Sequence, residues 1–160
     1  MEVATVFALA LAFASPPSLA QQSAPLTSCP LLDTADAAVL TGPGVEFYSG
    51  RASTAPGVPK TLLCFFGVGQ GRSLTVKTGR SLAKNAAEYR NMFEPLRQMN
   101  KAALEPGIGE YAYSTNDGST ATLDAVKGTL VLSLELKGTG LAAADLEKMR
   151  AAAKKALGRM

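Results

Sequence analysis

Residues 111–136 read YAYSTNDGSTATLDAVKGTLVLSLEL, and they decide the fold. Asn116-Asp117-Gly118-Ser119 is a strong turn signal between two runs of β-forming residues. Lys127-Gly128-Thr129 separates the second run from a third. Residues 120–126 and 130–136 alternate apolar and polar side chains, which is typical of strands with one buried face. The stretch predicts a three-stranded antiparallel meander at 111–115, 120–126 and 130–136.

The flanking sequence predicts helices on both sides of this meander. A first helix spans residues 31–42, capped by Asp33 or Thr34 and ended by Gly42. A second begins at Ser81, and Pro95 either kinks it or separates it from a further short helix. Its predicted inner side comprises Leu82, Ala86, Tyr89, Phe93, Leu96, Met99 and Ala103. A final amphipathic helix covers residues 141–157.

Short strands at 45–48, 61–66 and 73–78 complete the pattern, the last two as a hairpin. The element order is α-ββ(β)-α-βββ-α. We therefore expect an α+β domain in which helices pack on a single antiparallel sheet. Its predicted core comprises Leu62, Phe66, Leu74, Val76, Phe93, Leu123, Leu132, Leu134, Leu146 and Met149.

The start of the chain has the form of an export leader. Residues 3–14, VATVFALALAFA, are apolar but fewer than the roughly 20 that a membrane-spanning helix needs. Ser18-Leu19-Ala20 is a small-x-small cleavage site. We expect a signal peptide at 1–20, with cleavage after Ala24 as an alternative. Residues 21–28 would then form a flexible lead-in and 29–160 a single domain, periplasmic or secreted and not transmembrane after cleavage.

The two cysteines, Cys29 and Cys64, are expected to form a disulfide in an oxidising compartment. An alternative for Cys29 comes from Leu26-Thr27-Ser28-Cys29, which has the form of a lipobox. A lipobox normally follows the apolar run directly, whereas residues 15–25 intervene here. The spacing therefore disfavours a lipid anchor.

Several classes of chemistry are excluded by composition. The chain has no histidine, which excludes Ser-His-Asp, Cys-His and His-based metal sites. Gly67-Val68-Gly69-Gln70-Gly71 has glycines at GxGxG spacing but joins a strand to a strand, so it fails the dinucleotide-binding test. The net charge of +3 and the absence of tryptophan give no indication of nucleic-acid binding. We expect no cofactor and no metal.

One pair of acids could still perform catalysis. Glu105 and Glu110 flank Pro106-Gly107-Ile108-Gly109, and two carboxylates about 5 to 9 Å apart are sufficient for glycosidase chemistry. Acids beside a glycine turn are more often solvated. A hydrolase working through these residues is therefore only an alternative.

Five features in this order carry a resemblance. They are Cys29-Pro30-Leu31-Leu32, the short helix ending at Gly42, the strand cysteine in LLCFF, the turn PGIGEYAY at 106–113, and the closing Leu/Ala-rich helix. Together they resemble a family of small exported bacterial domains of unknown function, often lipoproteins with paired cysteines. The resemblance implies a PsbP-like α/β/α sandwich, a fold whose better-known members bind other proteins, and it supplies no catalytic residues.

We therefore expect an exported, non-catalytic domain that binds a protein or an envelope component. The predicted contact surface combines the loop from Arg51 to Lys60 with the turn from Pro106 to Tyr113. In the turn, Gly107, Gly109, Glu110, Tyr111 and Tyr113 are the candidate residues, although the tyrosines could instead pack beneath a helix. A periplasmic inhibitor or immunity protein that blocks a hydrolase is the first alternative, and the hydrolase acting through Glu105 and Glu110 is the second.

Mass spectrometry of the protein recovered from cells tests the export prediction. We expect an N-terminus at Gln21 or within residues 23–25, without lipid, because signal peptidase cuts after small residues. An intact Met1 on cytosolic protein would contradict export. A diacylated Cys29 would establish the lipoprotein alternative.

Overall fold

The computed structural model describes residues 23–53, 61–69 and 71–160. Within them, eight strands form one antiparallel sheet: β1 (Ser23–Pro25), β2 (Phe47–Ser53), β3 (Leu62–Gly69), β4 (Arg72–Arg80), β5 (Ala103–Leu104), β6 (Tyr111–Asn116), β7 (Thr120–Lys127) and β8 (Leu130–Lys137). The helices in this part of the chain are α1 (Thr34–Thr41), α2 (Ala86–Met99) and α3 (Ala143–Arg159). The strand order is β1-β2-β3-β4-β8-β7-β6-β5. The predicted α+β class with a single antiparallel sheet is confirmed.

The predicted meander forms β6, β7 and β8. Its first turn is held by side-chain oxygens, since Asn116 accepts the Gly118 amide and Asp117 accepts the amides of Ser119 and Thr120, all within 2.8 Å. These backbone hydrogen bonds lower the pKa of Asp117. Gly118 has a φ of 87°, a conformation that glycine adopts without strain.

One face of the sheet is covered by α1 and α3. Leu74, Val76, Leu132 and Leu134 point into this layer and are fully buried, together with Met149 of α3. Of the predicted core, Leu62, Phe66, Leu74, Val76, Leu123, Leu132, Leu134 and Met149 are buried, whereas Phe93 and Leu146 are only partly buried.

Helix α1 begins with a reciprocal cap. The Asp33 carboxylate accepts the Asp36 amide at 2.8 Å, and the Asp36 carboxylate accepts the Asp33 amide at 3.2 Å. Asp36 also accepts a hydrogen bond from Lys155 of α3 at 2.5 Å, which joins the two helices. The C-terminal end is at Gly42, as predicted, with a φ of 98°.

The predicted disulfide between Cys29 and Cys64 is present, with the two Cα atoms 5.8 Å apart. Both residues are buried, and Cys64 lies in the middle of β3. The bond therefore connects the segment preceding α1 to the sheet. Closing this loop stabilises the fold by about 4 kcal/mol at most in the chain-entropy model.

The second helix differs from its prediction. It begins at Ala86, because Asn85 accepts the Glu88 amide at 2.9 Å as N-cap, while Ser81 closes a local turn by accepting the Ala83 amide. Leu82 is consequently 90% exposed rather than part of an inner face. The helix continues through Pro95 as one element, so of the two alternatives the separate short helix is wrong.

The prediction that Leu96, Met99 and Ala103 lie on a buried side of the helix is also wrong. Leu96 is 46% and Met99 72% exposed, and Ala103 lies exposed in β5. The reason is that Tyr89 and Phe93 make the contact of α2 with the sheet. They pack on the face opposite α1 and α3.

Pairing at one edge of the sheet extends further than the sequence pattern indicates. Strand β2 runs to Ser53, so Arg51 belongs to a strand and not to the predicted loop. Strand β1 lies within the predicted flexible lead-in and pairs with residues 51–53. The pairing of β2 with β3 is irregular between Phe47 and Ser49. Gly50 is required by close packing, since a Cβ there would meet the Phe47 ring at 2.8 Å. The leader at 1–20 and Lys60 lie outside the described residues.

No helix in the described ranges is long and apolar enough to cross a membrane.

Replacement of Leu134 by alanine tests the register of the sheet. We expect a loss of about 2 to 5 kcal/mol in the free energy of unfolding, because a fully buried side chain would leave a cavity. Urea denaturation measures it. Leu82→Ala, at a 90% exposed position, is the matched control and should change stability by less than about 0.5 kcal/mol. Equal losses in the two variants would contradict the register.

Candidate functional site: the cleft beside helix α2

A cleft of about 440 Å³ lies where the predicted turn meets α2. Arg90 and Glu94 of α2 form one wall, and residues 104–112 form the other. The cleft therefore contains Gly107, Gly109, Glu110 and Tyr111 from the predicted contact surface, but not Tyr113.

The two glycines of this turn are required by the backbone. Gly107 has a φ of 76° and Gly109 a φ of 59°. At Gly109 a Cβ would also collide with the Val126 carbonyl oxygen, which accepts the Glu110 amide at 2.8 Å. The turn is thus held tightly against β7, and any other residue at position 109 would push it away.

Tyr111 and Tyr113 lie beneath α2. Tyr111 is 5% exposed, with its ring centroid 5.9 Å from that of Tyr89, and Tyr113 is partly buried next to it. Tyr89 stacks on Phe93 with the centroids 4.2 Å apart. Burial, and then the charge of Asp124 and the contact with Tyr89, raise the pKa of Tyr113. Both rings thus pack between α2 and the sheet, which is the second of the two arrangements considered for these tyrosines, packing beneath a helix and not forming an exposed contact surface.

Glu94 connects the helix to the floor of the cleft. Its carboxylate accepts hydrogen bonds from Arg97 at 2.5 Å, from Gln98 at 3.0 Å and from the Tyr111 hydroxyl at 2.8 Å. These bonds, that from Arg97 first, lower the pKa of Glu94 to about 2. Burial and the Glu94 carboxylate raise the pKa of Tyr111 to about 12, so this hydroxyl remains a hydrogen-bond donor at neutral pH.

Glu105 is fixed by an ion pair at the base of the turn. It is 4% exposed and accepts two hydrogen bonds from Arg150 of α3, at 2.5 and 2.8 Å, and one from Ser114. Burial raises the pKa of Glu105, but the hydrogen bonds from Arg150 and Ser114 outweigh it and the net shift is downward. A carboxyl group held ionised in this way is unsuited to the role of a general acid.

Glu110 is also engaged, because its Oε1 accepts the Gly128 amide at 2.7 Å. The arrangement therefore keeps Glu105 and Glu110 in two separate structural contacts. It gives no geometric support to acid–base catalysis by this pair. In the described ranges, moreover, no three His, Cys, Asp or Glu side chains come together as metal ligands would.

Arg51, at the start of the predicted loop, lies far from the predicted turn, while residues 54–60 of that loop lie outside the described residues. Arg51 is on β2, the second strand across the sheet, whereas the turn precedes β6, the seventh. At about 4.8 Å per strand the separation is about 24 Å. Among the described residues, Arg51 and the turn therefore do not share one local surface, and the combined contact surface stays a prediction.

Sequence reasoning missed the contribution of α2 to the site. Arg90 and Glu94 have the i, i+4 spacing that places two side chains on one side of a helix. That spacing was visible in the sequence. The sequence predicted the residues of β6 but not the place of this strand in the sheet. It therefore could not show which strand Arg90 and Glu94 would face.

Comparison of the chain with protein-family models, with curated proteins and with solved structures finds no match.

Acid unfolding tests the role of Glu94. Its folded-state pKa of about 2 lies below the ordinary value of 4.5, so its ionisation stabilises the fold above pH 4.5 and this contribution is lost as the pH falls towards 2. We expect Glu94→Gln to be less stable than the natural chain at pH 7, with the difference shrinking between pH 4.5 and 2. Urea unfolding at a series of pH values measures it.

The control is Glu46→Gln, which replaces an exposed carboxylate far along the chain from α2. The same narrowing of the stability difference in this variant would contradict the assignment to Glu94.

Proposed function

We propose that this protein is an exported domain that binds another protein or an envelope component and does not transform it chemically. The leader pattern at 1–20 and the disulfide between Cys29 and Cys64 support export, because disulfides persist in oxidising compartments. The contact surface in this proposal is one side of α2.

The observation that carries the proposal is an exposed apolar stripe on α2. Met92, Leu96 and Met99 are 43%, 46% and 72% exposed. Their i, i+4, i+7 spacing places them along one side of the helix. Tyr89 and Phe93 occupy the adjoining side and pack on the sheet. The apolar side of α2 is thus wider than the contact that it makes within the described part of the chain.

Several properties of this stripe favour a protein ligand. Single exposed apolar residues are common on any protein, but three at helical spacing form a continuous strip that a partner could cover. Two of the three are methionines, whose flexible side chains adapt to different partner surfaces.

The two alternative functions, an inhibitor and a hydrolase, each require a property that can be tested. An inhibitor or immunity protein would use the same kind of surface, and its partner would be a hydrolase that loses activity on binding. A hydrolase acting through Glu105 and Glu110 would need a free acid, whereas Arg150 holds Glu105 as a carboxylate.

Photocrosslinking in cells tests the proposal. The protein is produced with its own leader, with a photoreactive amino acid at position 99 or, as the matched control, at position 39. Val39 is also apolar and 59% exposed, but it lies on α1. We expect a defined crosslinked partner from position 99 and none from position 39. Leu96→Asp, placed in the protein labelled at 99, should abolish the product without lowering the melting temperature.

Equal products from the two positions, or a product unaffected by Leu96→Asp, would contradict the proposal. If the partner is a hydrolase and the added protein inhibits it, the inhibitor function is correct. Turnover of a glycan or peptide that is lost in Glu110→Gln would establish the enzyme instead.

A further inference from the structure

Arg90 extends into the cleft without a carboxylate partner. Its guanidinium carbon lies 5.3 Å from the centroid of the Tyr111 ring, which is cation–π contact. The side chain forms no ion pair with any carboxylate in residues 23–53, 61–69 and 71–160. Its donors are therefore oriented by an aromatic ring and remain open to a ligand.

The nearby carboxylates are already engaged by other groups. Glu94 binds Arg97 and Tyr111, Glu105 binds Arg150, and Glu110 accepts the Gly128 amide. Glu94 is one helical turn from Arg90, yet it pairs with Arg97. None of these three carboxylates therefore neutralises Arg90 through an ion pair.

The opposite wall adds hydrogen-bond donors. The amides of Gly107 and Gly109 have no acceptor among the described residues, although both residues line the cleft. Both have positive φ angles, and turns that combine such conformations commonly present amides to anions. Arg90 and the Gly107–Gly109 turn thus line two sides of one cleft, and each has hydrogen-bond donors without an acceptor among the described residues.

Three engaged carboxylates, Glu94, Glu105 and Glu110, also line the cleft. The exposed apolar part of the lining comes from Leu104 and Pro106. The volume of about 440 Å³ lies within the range of small-ligand sites, which is about 300 to 1,000 Å³. A ligand that fits would carry one anionic group and a short apolar portion.

We propose that this cleft binds the carboxylate group of a ligand with a short apolar chain, the carboxylate lying between the Arg90 guanidinium and the Gly107–Gly109 turn. A planar guanidinium matches the two oxygens of a carboxylate with two parallel hydrogen bonds. This site is separate from the apolar stripe of α2 and does not depend on it. Two sources have this chemistry, a free short-chain acid and the C-terminal carboxylate of a peptide.

Titration followed by ¹⁵N NMR tests the proposal with two pairs of probes. The first pair is butyrate and butyramide, which differ in the carboxylate alone. The second is acetyl-Ala-Ala-Val with a free C-terminus and the same peptide amidated. We expect the two acids to shift the amide signals of Gly107 and Gly109, and the two amides to bind at least tenfold more weakly.

Variants at position 90 give the second readout. Arg90→Gln should weaken butyrate binding at least tenfold, and Arg90→Lys should retain part of it, because the charge remains while the paired donors are lost. The matched control is Arg51→Gln, which replaces an exposed arginine on β2, near the opposite edge of the sheet from the cleft. This variant should bind butyrate as the natural chain does. The Tyr111 ring signals report whether each variant keeps the packing beneath α2.

Tighter binding of the peptide acid than of butyrate by tenfold or more would identify a chain terminus as the ligand. Equal binding of the two acids would identify a small free acid, and either result supports the carboxylate site. Amides that bind as tightly as the acids, or an Arg90→Gln variant that binds butyrate unchanged, would overturn it.

Discussion

The pairing of β4 with β8 is the interaction on which the rest of the structure depends. It joins β1–β4 to β5–β8 through eight residue pairs, from Ser73 with Lys137 to Arg80 with Leu130. Val76 lies opposite Leu134, so the buried faces of the two halves become one continuous surface. A shift of one residue in this pairing would turn Leu132, Leu134 and Leu136 away from α1 and α3.

The same pairing determines where α2 and its cleft lie. With β8 fixed beside β4, β7 and β6 follow outward, and the alternation of β6 places Ala112 on the α3 side and Tyr111 on the α2 side. Tyr111 then serves as the common contact of Tyr89, Glu94 and Arg90. The position of the cleft therefore follows from the strand order, because Tyr111 of β6 contacts the residues of α2 that form one wall and itself belongs to the other wall.

The sequence was most informative where local pattern and burial coincide. The alternation in residues 120–136 predicted β7 and β8 closely because each has one face in the main core. It failed where pairing alone defines a strand, as in β1 and β5, which contain three and two residues. The sequence also predicted the wrong burial for the end of α2. Leu96 and Met99 are apolar, but the sequence pattern does not show whether another element packs on them. In the cleft, the sequence predicted the turn but not the role of Arg90. Arg90 contacts Tyr111 only in the folded structure, and the sequence pattern gives no sign of that contact.

Strand β1 lies at the predicted cleavage sites after Ala20 and Ala24. Its three residues cover the outer edge of β2, with Ser23 opposite Ser53 and Ala24 opposite Ala52. A leader removed after Ala20 would leave this strand whole, whereas removal after Ala24 would leave only Pro25 of it. Maturation as a lipoprotein would begin the chain at Cys29, delete the strand and require for the lipid the same sulfur that is bonded to Cys64. If a leader is removed, the position of the cut would therefore decide whether the edge of β2 stays covered or is open to pairing.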